Sequence, residues 1–150
     1  MTKLAIAKTI LAVIPKIDVY CEKVARKNYD KAISSMFSEL QDTEAVIEQI
    51  IDKTYRAQQL HNLKIRVERQ LGKAPKNITK AMDLHFIKGM PLEKTAKKLA
   101  LSERTLERRL DRGVIWFTEN LDRAGINYEA TIQLFKSLGW AKKNFYLAGT

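Results

Sequence analysis

Apolar residues recur close to every 3.6 positions along most of this 150-residue chain, the spacing of helices that each bury one face. Over residues 15–40 they fall at Ile17, Tyr20, Cys21, Val24, Ala25, Ala32, Ile33, Met36, Phe37 and Leu40. Pro15 suits the first turn of that helix, where its missing N–H would have no acceptor. The apolar stretch before it, residues 4–14, is then a separate helix or a kinked extension. Gln41-Asp42-Thr43-Glu44 reads as a helix start, with an Asp or Thr cap and acids at the positive end of the dipole. The helix it opens runs to Leu71, with Gly72 just past its end, and would be about 43 Å long at 1.5 Å per residue. Its apolar positions form two groups, Val46, Ile47, Ile50 and Ile51, then Leu60, Leu63, Val67 and Leu71. Polar Gln58, Gln59, His61 and Asn62 lie between them, so the two halves are expected to face different partners.

Residues 72–77, Gly-Lys-Ala-Pro-Lys-Asn, combine linker signals with Asn77 as a candidate cap, and we place a domain boundary here. Three short-connected helical segments follow. The first covers residues 78–88 and ends at Gly89, the second opens at Pro91 and ends near Leu99, and the third starts after Ser102 and reaches Leu121. After a break at residues 123–127, a further helix from Tyr128 to Leu138 is closed by Gly139. Trp140, Phe145, Tyr146 and Leu147 make an aromatic tail that packs over the core or docks a partner. With 6 Gly and 3 Pro, the chain lacks the regular turn signals of an all-β protein. The pattern predicts an all-α fold: an N-terminal long helical hairpin, a tri-helical helix-turn-helix domain and a short C-terminal helix. The expected segments are residues 1–72 for dimerisation or partner binding, 73–123 for DNA binding, and 124–150 for the C-terminal helix and tail.

The third segment of the central domain has two distinct faces. Leu106, Leu110, Gly113, Val114, Phe117 and Leu121 fall on one side, with Trp116 and Phe117 assigned to the core. Arg104, Thr105, Arg108 and Arg112 fall on the other, flanked by Glu103, Glu107 and Asp111. An arginine-bearing helix held by a buried stripe and preceded by a tight turn is the layout of a major-groove recognition helix. Arginine donates two hydrogen bonds to guanine there, and its charge also suits phosphates. The second segment is expected to bury Leu92, Ala96 and Leu99, leaving Lys94, Lys97 and Lys98 free to approach the DNA backbone. Without the turn, the small Ala96 and the Ser102 cap, the same charges would describe only a helical bundle with a solvated basic face.

Charge strengthens the picture. The chain carries a net charge of +10, and residues 73–123 hold twelve Lys/Arg against seven Asp/Glu, half of the excess in a third of the length. Chemistry of other kinds is not provided for. Cys21 is the only cysteine, so no intrachain disulfide forms, and it reads as a small buried hydrophobe. With His61 and His85 it makes no zinc-ligand set, and we expect no metal and no cofactor. There is no paired-acid site, no nucleophile with its base and no glycine-rich phosphate loop, so an enzyme is not expected. The absence of a targeting pattern, of a membrane-length apolar run and of paired cysteines fits the cytoplasm, with no membrane partner.

Residues 84–112 resemble region 4 of bacterial sigma factors and their small sigma-like relatives. The matching positions are Leu84, Phe86, Gly89, Leu92, Glu93, Ala96, Leu99, Leu101, Ser102, Thr105, Leu106, Arg108, Leu110 and Arg112. The resemblance implies base contacts from Glu103, Arg104 and Arg108, with Ser102 and Arg112 near phosphates. Two departures stand out. Ala100 occupies the turn position where the family usually has Gly, so a non-glycine residue would adopt the left-handed conformation. Lys94 and Thr95 replace the usual acid and Ile before the buried Ala. No counterpart of the sigma region that opens promoter DNA is recognisable in the sequence.

The expected function is therefore a sequence-specific, sigma-like transcription regulator of double-stranded DNA, similar to those of phages and mobile elements. RNA polymerase is a candidate partner, and the N-terminal helices are candidates for a homodimer contact. Two other readings stand beside it: a DNA-packaging or other non-catalytic DNA-processing subunit, and a protein-interaction module that does not bind DNA.

Overall fold

Helices and helical turns make up all the regular structure among residues 2–36 and 43–142, the residues described by the computed structural model. The all-α expectation holds. In chain order the helices are α1 (Lys3–Val13), α2 (Ile17–Met36), α3 (Thr43–Leu71), α4 (Lys76–Met82), α5 (Leu92–Lys98), α6 (Glu103–Glu119), α7 (Tyr128–Lys136) and α8 (Gly139–Lys142). Short 3-10 turns occupy Ile14–Lys16 and Leu121–Ala124, and a π-helical turn, Asp83–Ile87, extends α4. Phe37, Leu40, Gln41, Asp42, Phe145, Tyr146 and Leu147, which figure in the sequence pattern, lie outside the described residues.

The chain divides into two compact units, one formed by Met1–Pro15 with Lys64–Thr150 and the other by Lys16–Leu63. The cut falls inside α3, within its second apolar group, leaving Leu60 and Leu63 in one unit and Val67 and Leu71 in the other. The second unit is an antiparallel pair, α2 and the first part of α3. Cys21 Sγ lies 3.6 Å from the Ala57 carbonyl oxygen, Asn28 Nδ2 donates to Thr54 Oγ1 at 3.1 Å, and Lys31 Nζ donates to Gln49 Oε1 at 2.8 Å. Rising numbers on α2 pair with falling numbers on α3, as in a helical hairpin. The seam is only partly apolar. Cys21, expected to be buried, is half-buried, and of the hydrophobic positions on α2 only Ile17 and Val24 are buried. Ala25, Ile33 and Met36 are exposed, as are Ile47 and Ile51 on α3, while Val46 and Ile50 are half-buried. Periodicity marked these residues correctly as one-sided without saying what covers them.

The first unit holds the larger core. α1 is a separate helix, and its sequence, apolar nearly all round, buries Ala5, Ile6, Ala7, Thr9, Ile10, Leu11 and Val13. Thr2 caps it by accepting from Ala5 N at 3.1 Å. α1 packs on α6 and on the π-helical turn, and α4 and α5 pack on α6 as well. Val67 and Leu71 from α3 join Met82, Leu106, Phe117, Leu121 and Phe135 in this core. Thus residues 1–15 and 64–71 share a unit with the central segment, although the pattern of turn signals placed a break at Gly72.

That stretch is a closed corner rather than a loose linker. Lys73 N donates to Gln70 O and Ala74 N to Leu71 O, both at 3.1 Å. The Thr79 hydroxyl lies 3.0 Å from Leu71 O and 2.9 Å from Ala74 O. α4 begins at Lys76 with Pro75 at its cap, so Asn77, expected to cap, sits inside the first turn and its Oδ1 accepts from Ile78 N at 3.0 Å. At the other end, α7 stops at Lys136 and Gly139 opens α8 instead of closing α7. Asn127 caps α7, accepting from Ala130 N at 3.0 Å. Asp122 accepts from Lys3 Nζ and from the Tyr128 hydroxyl, which links α1 to the start of α7. Those two hydrogen bonds, that from Lys3 first, hold its carboxyl below the usual carboxylate range.

Candidate nucleic-acid interface

α6 is positioned by a buried stripe of Leu106, Leu110, Gly113 and Phe117; Val114 and Trp116 are half-buried. Leu121, expected at the end of the helix, is buried one step later in the 3-10 turn. Gly113 sets how closely α4 approaches. A Cβ there would lie 2.4 Å from Met82 Sδ, 2.7 Å from Met82 Cγ and 3.1 Å from Ile78 Cγ2, all within the space that neighbouring atoms fill. A glycine in a helix interior costs about 1 kcal/mol relative to alanine, so its presence on the buried stripe is itself a packing signal.

α5 meets α6 through the buried Thr95 and Ala96, while Leu92 and Leu99, expected to be buried with Ala96, are only half-buried. Thr95 can occupy a core position because its hydroxyl is satisfied locally, lying 3.0 Å from Pro91 O and 3.3 Å from Met90 O. The segment entering α5 is equally tied down. Lys88 N donates to Asp83 O and Met90 N to Leu84 O, both at 2.9 Å, and His85 Nδ1 donates to Met90 O at 2.9 Å. Gly89 has φ +68°, and a Cβ on it would lie 3.2 Å from Pro15 Cβ.

The turn between α5 and α6 has the two reciprocal bonds of a Schellman ending: Leu101 N donates to Ala96 O at 2.9 Å and Ala100 N to Lys97 O at 3.2 Å. Its pivot is Ala100, at φ 55°, the one non-glycine residue with positive φ among those described. The left-handed conformation expected from the sequence is thus present, on a residue whose Cβ opposes it. Replacing Ala100 by Gly should stabilise the protein by about 1 kcal/mol, the relieved strain exceeding the added freedom of the unfolded chain. Urea unfolding measures this directly, and lower stability would mean that alanine carries no strain there.

Ser102 then opens α6. Its Oγ accepts from Thr105 N at 3.2 Å and donates to Thr105 Oγ1 at 2.9 Å. Beyond the cap, Glu103, Arg104, Thr105, Glu107, Arg108, Asp111 and Arg112 are exposed. Arg104, Arg108 and Arg112 recur every four residues and so lie along one side of the helix. Among the described residues no carboxylate lies within ion-pair distance of these three arginines. Lys94, Lys97 and Lys98 are exposed on α5. Lys97 is 3.5 Å from Glu93 in a surface pair with side chains 77% and 71% exposed, which is readily exchanged for another anion. The residues singled out from the sequence therefore lie on two adjacent elements joined by a rigid turn. The sequence pattern did not assign Thr95 to the core, nor Gly113 the role of a spacer.

No group of His, Cys, Asp and Glu that could hold a metal ion occurs among the described residues, and no described helix is long and apolar enough to cross a membrane. α5 and α6 thus combine a tight turn, a buried inner stripe and an outer row of arginines without a carboxylate partner. The chain belongs to the ECF sigma factor family, whose model matches residues 27–123. The family consists of sigma-like, DNA-binding transcription regulators that act with RNA polymerase and are not themselves catalysts. The match begins in α2, well before residues 84–112, where the resemblance was legible to us. No curated protein and no solved structure matches the chain.

Proposed function

We propose that this protein is a sequence-specific, sigma-like regulator of the phage or mobile-element kind, and that α6 reads double-stranded DNA in the major groove. The observation that carries the reading is the row of Arg104, Arg108 and Arg112, exposed and without a carboxylate partner, on a helix whose other face is locked by Gly113 and Phe117. A guanidinium with no intramolecular acceptor keeps its donors for base edges and phosphates. Glu103, Arg104 and Arg108, in the first turns of α6, contact bases. Lys94, Lys97 and Lys98 on α5, with Ser102 and Arg112, contact phosphates. The Ser102 hydroxyl already donates to Thr105, so its phosphate contact runs through the backbone N–H at the positive end of the helix dipole. The phage or mobile-element part of the proposal rests on resemblance alone.

Selection of bound sequences from random duplex DNA tests the reading. The intact chain should recover a short motif. Arg108→Ala should relax one position of it and weaken the best site by about 1–3 kcal/mol, whereas Arg112→Ala should weaken all sequences alike and lower the salt slope by about one unit. Recovery of no motif would exclude sequence-specific regulation. Selection of the same motif by Arg104→Ala and Arg108→Ala as by the parent would remove α6 as the reader.

A further inference from the structure

The two sides of the α2–α3 hairpin differ in chemistry. One carries the exposed Tyr29 and Ile33 of α2 with Ile47 and Ile51 of α3. The other is basic. Lys23, Lys27 and Lys31 recur every four residues on α2 and form one ridge, about 12 Å long at 1.5 Å per residue. Arg104, Arg108 and Arg112 have the same spacing on α6. At about 100° per residue, Tyr29 and Ile33 lie roughly 100° and 140° to one side of the hairpin contact at Asn28, and Lys31, Lys27 and Lys23 roughly 60°, 100° and 140° to the other. From α3, Lys53 comes within hydrogen-bond reach of Lys31. Lys31 Nζ is fixed across the seam by donating to Gln49 Oε1 at 2.8 Å. Ammonium groups only donate, so the meeting of Lys31 and Lys53 holds two sets of donors and no acceptor. Among the described residues, no carboxylate lies within ion-pair distance of Lys23, Lys27, Lys31 or Lys53. Two acids lie towards this side: Asp52, paired with Arg56 at 3.0 Å, and Asp30, exposed beyond the outer edge of the ridge. Lys31 first, and then burial and Arg56, hold the pKa of Lys53 below the usual lysine value.

We infer that this ridge holds the backbone phosphates of duplex DNA, one phosphate bridging Lys31 and Lys53 and others lying along Lys27 and Lys23. A phosphate oxygen supplies the acceptor that the two ammonium groups lack, and its charge relieves their repulsion. The length of the ridge selects a strand over a single small anion. A free phosphate would satisfy Lys31 and Lys53 and leave Lys27 and Lys23, about 6 and 12 Å further along α2, without a partner. Contacts of this kind add affinity and carry no sequence information. The inference stands beside the role of α6, and its test uses DNA of random sequence, so it holds or fails whichever motif α6 reads.

Affinity of the full chain for a random-sequence duplex, measured between about 50 and 200 mM salt, gives the number of phosphates held. Lys31→Gln with Lys53→Gln should lower the slope of log affinity against log salt by about 0.9, and adding Lys27→Gln should bring the total to about 1.8. The same losses should appear when Arg104, Arg108 and Arg112 are all changed to Ala, which places them outside α6. Without DNA, Lys53→Gln should leave the urea midpoint unchanged or raise it, since it removes a like-charge contact; a lysine with a merely structural role would lower it. A slope that the three lysine changes do not move would overturn the inference, and an acidic protein surface would then be the better occupant. Calorimetry with inorganic phosphate supplies the remaining control. Saturable binding that depends on Lys31 and Lys53, in a chain whose duplex slope ignores them, would assign the pair to a small anion and overturn the contact with DNA.

Discussion

Gly113→Val is expected to destabilise the unit that contains α6 by about 3 kcal/mol, the upper end of the usual cost of overpacking. The added branches would enter the volume held by Met82, which is fully buried and touches the line of the new Cβ at both Sδ and Cγ. Gly113→Ala separates the two effects at work. Helix propensity alone would make alanine more stable by about 1 kcal/mol, so a loss of about 1 kcal/mol would mean that the crossing of α4 over α6 outweighs propensity. Urea denaturation gives both values. Shortening Met82 to Ala in the Gly113→Val background should cost less than the sum of the single changes, because each relieves the contact the other requires. A more stable Gly113→Ala protein would contradict the close approach.

Ile10→Ala should cost about 2–5 kcal/mol, the range for truncating a fully buried aliphatic side chain whose cavity cannot collapse. Its interest lies in where the loss appears. Ile10 is on α1, and α1 packs on α6 and on the turn before α5. Hydrogen exchange should therefore show faster opening of the α6 amides in Ile10→Ala, even though the substitution is more than ninety residues away in sequence. If residues 1–72 behaved as a domain independent of α6, that helix would keep its protection and only the N-terminal amides would respond. Duplex DNA affinity should fall with the folded fraction and recover when stability is restored, for example by Ala100→Gly.

Much of the local structure was legible in the sequence. Thr43 and Leu71 bound α3 as expected, Ser102 caps α6, and Pro91 stands at the start of α5, because caps and prolines act through backbone groups within a turn of themselves. The arginine row of α6 was legible for a similar reason: four-residue spacing fixes a helix face whatever surrounds it. Contacts between elements were not. Gly72 and Pro75 look like a linker because their chemistry permits one, yet Thr79 and the turn bonds close that stretch into a corner. Leu92 and Leu99 looked more suited to the core than Thr95, whose hydroxyl costs little only because two carbonyl oxygens stand beside it.

Sequence by itself therefore determined that the protein is all helical, where its long helices begin and end, and which helix presents arginines after a tight turn. These properties depend on interactions within a few residues. Only the tertiary structure decided that α1 belongs to the core beneath α6, that Gly113 is the spacer at the α4 crossing, and that the hairpin of α2 and α3 leaves an apolar face open. A hydrophobic stripe states that a face must be covered. Which surface covers it depends on the path of the chain, and one-dimensional periodicity carries no record of that path.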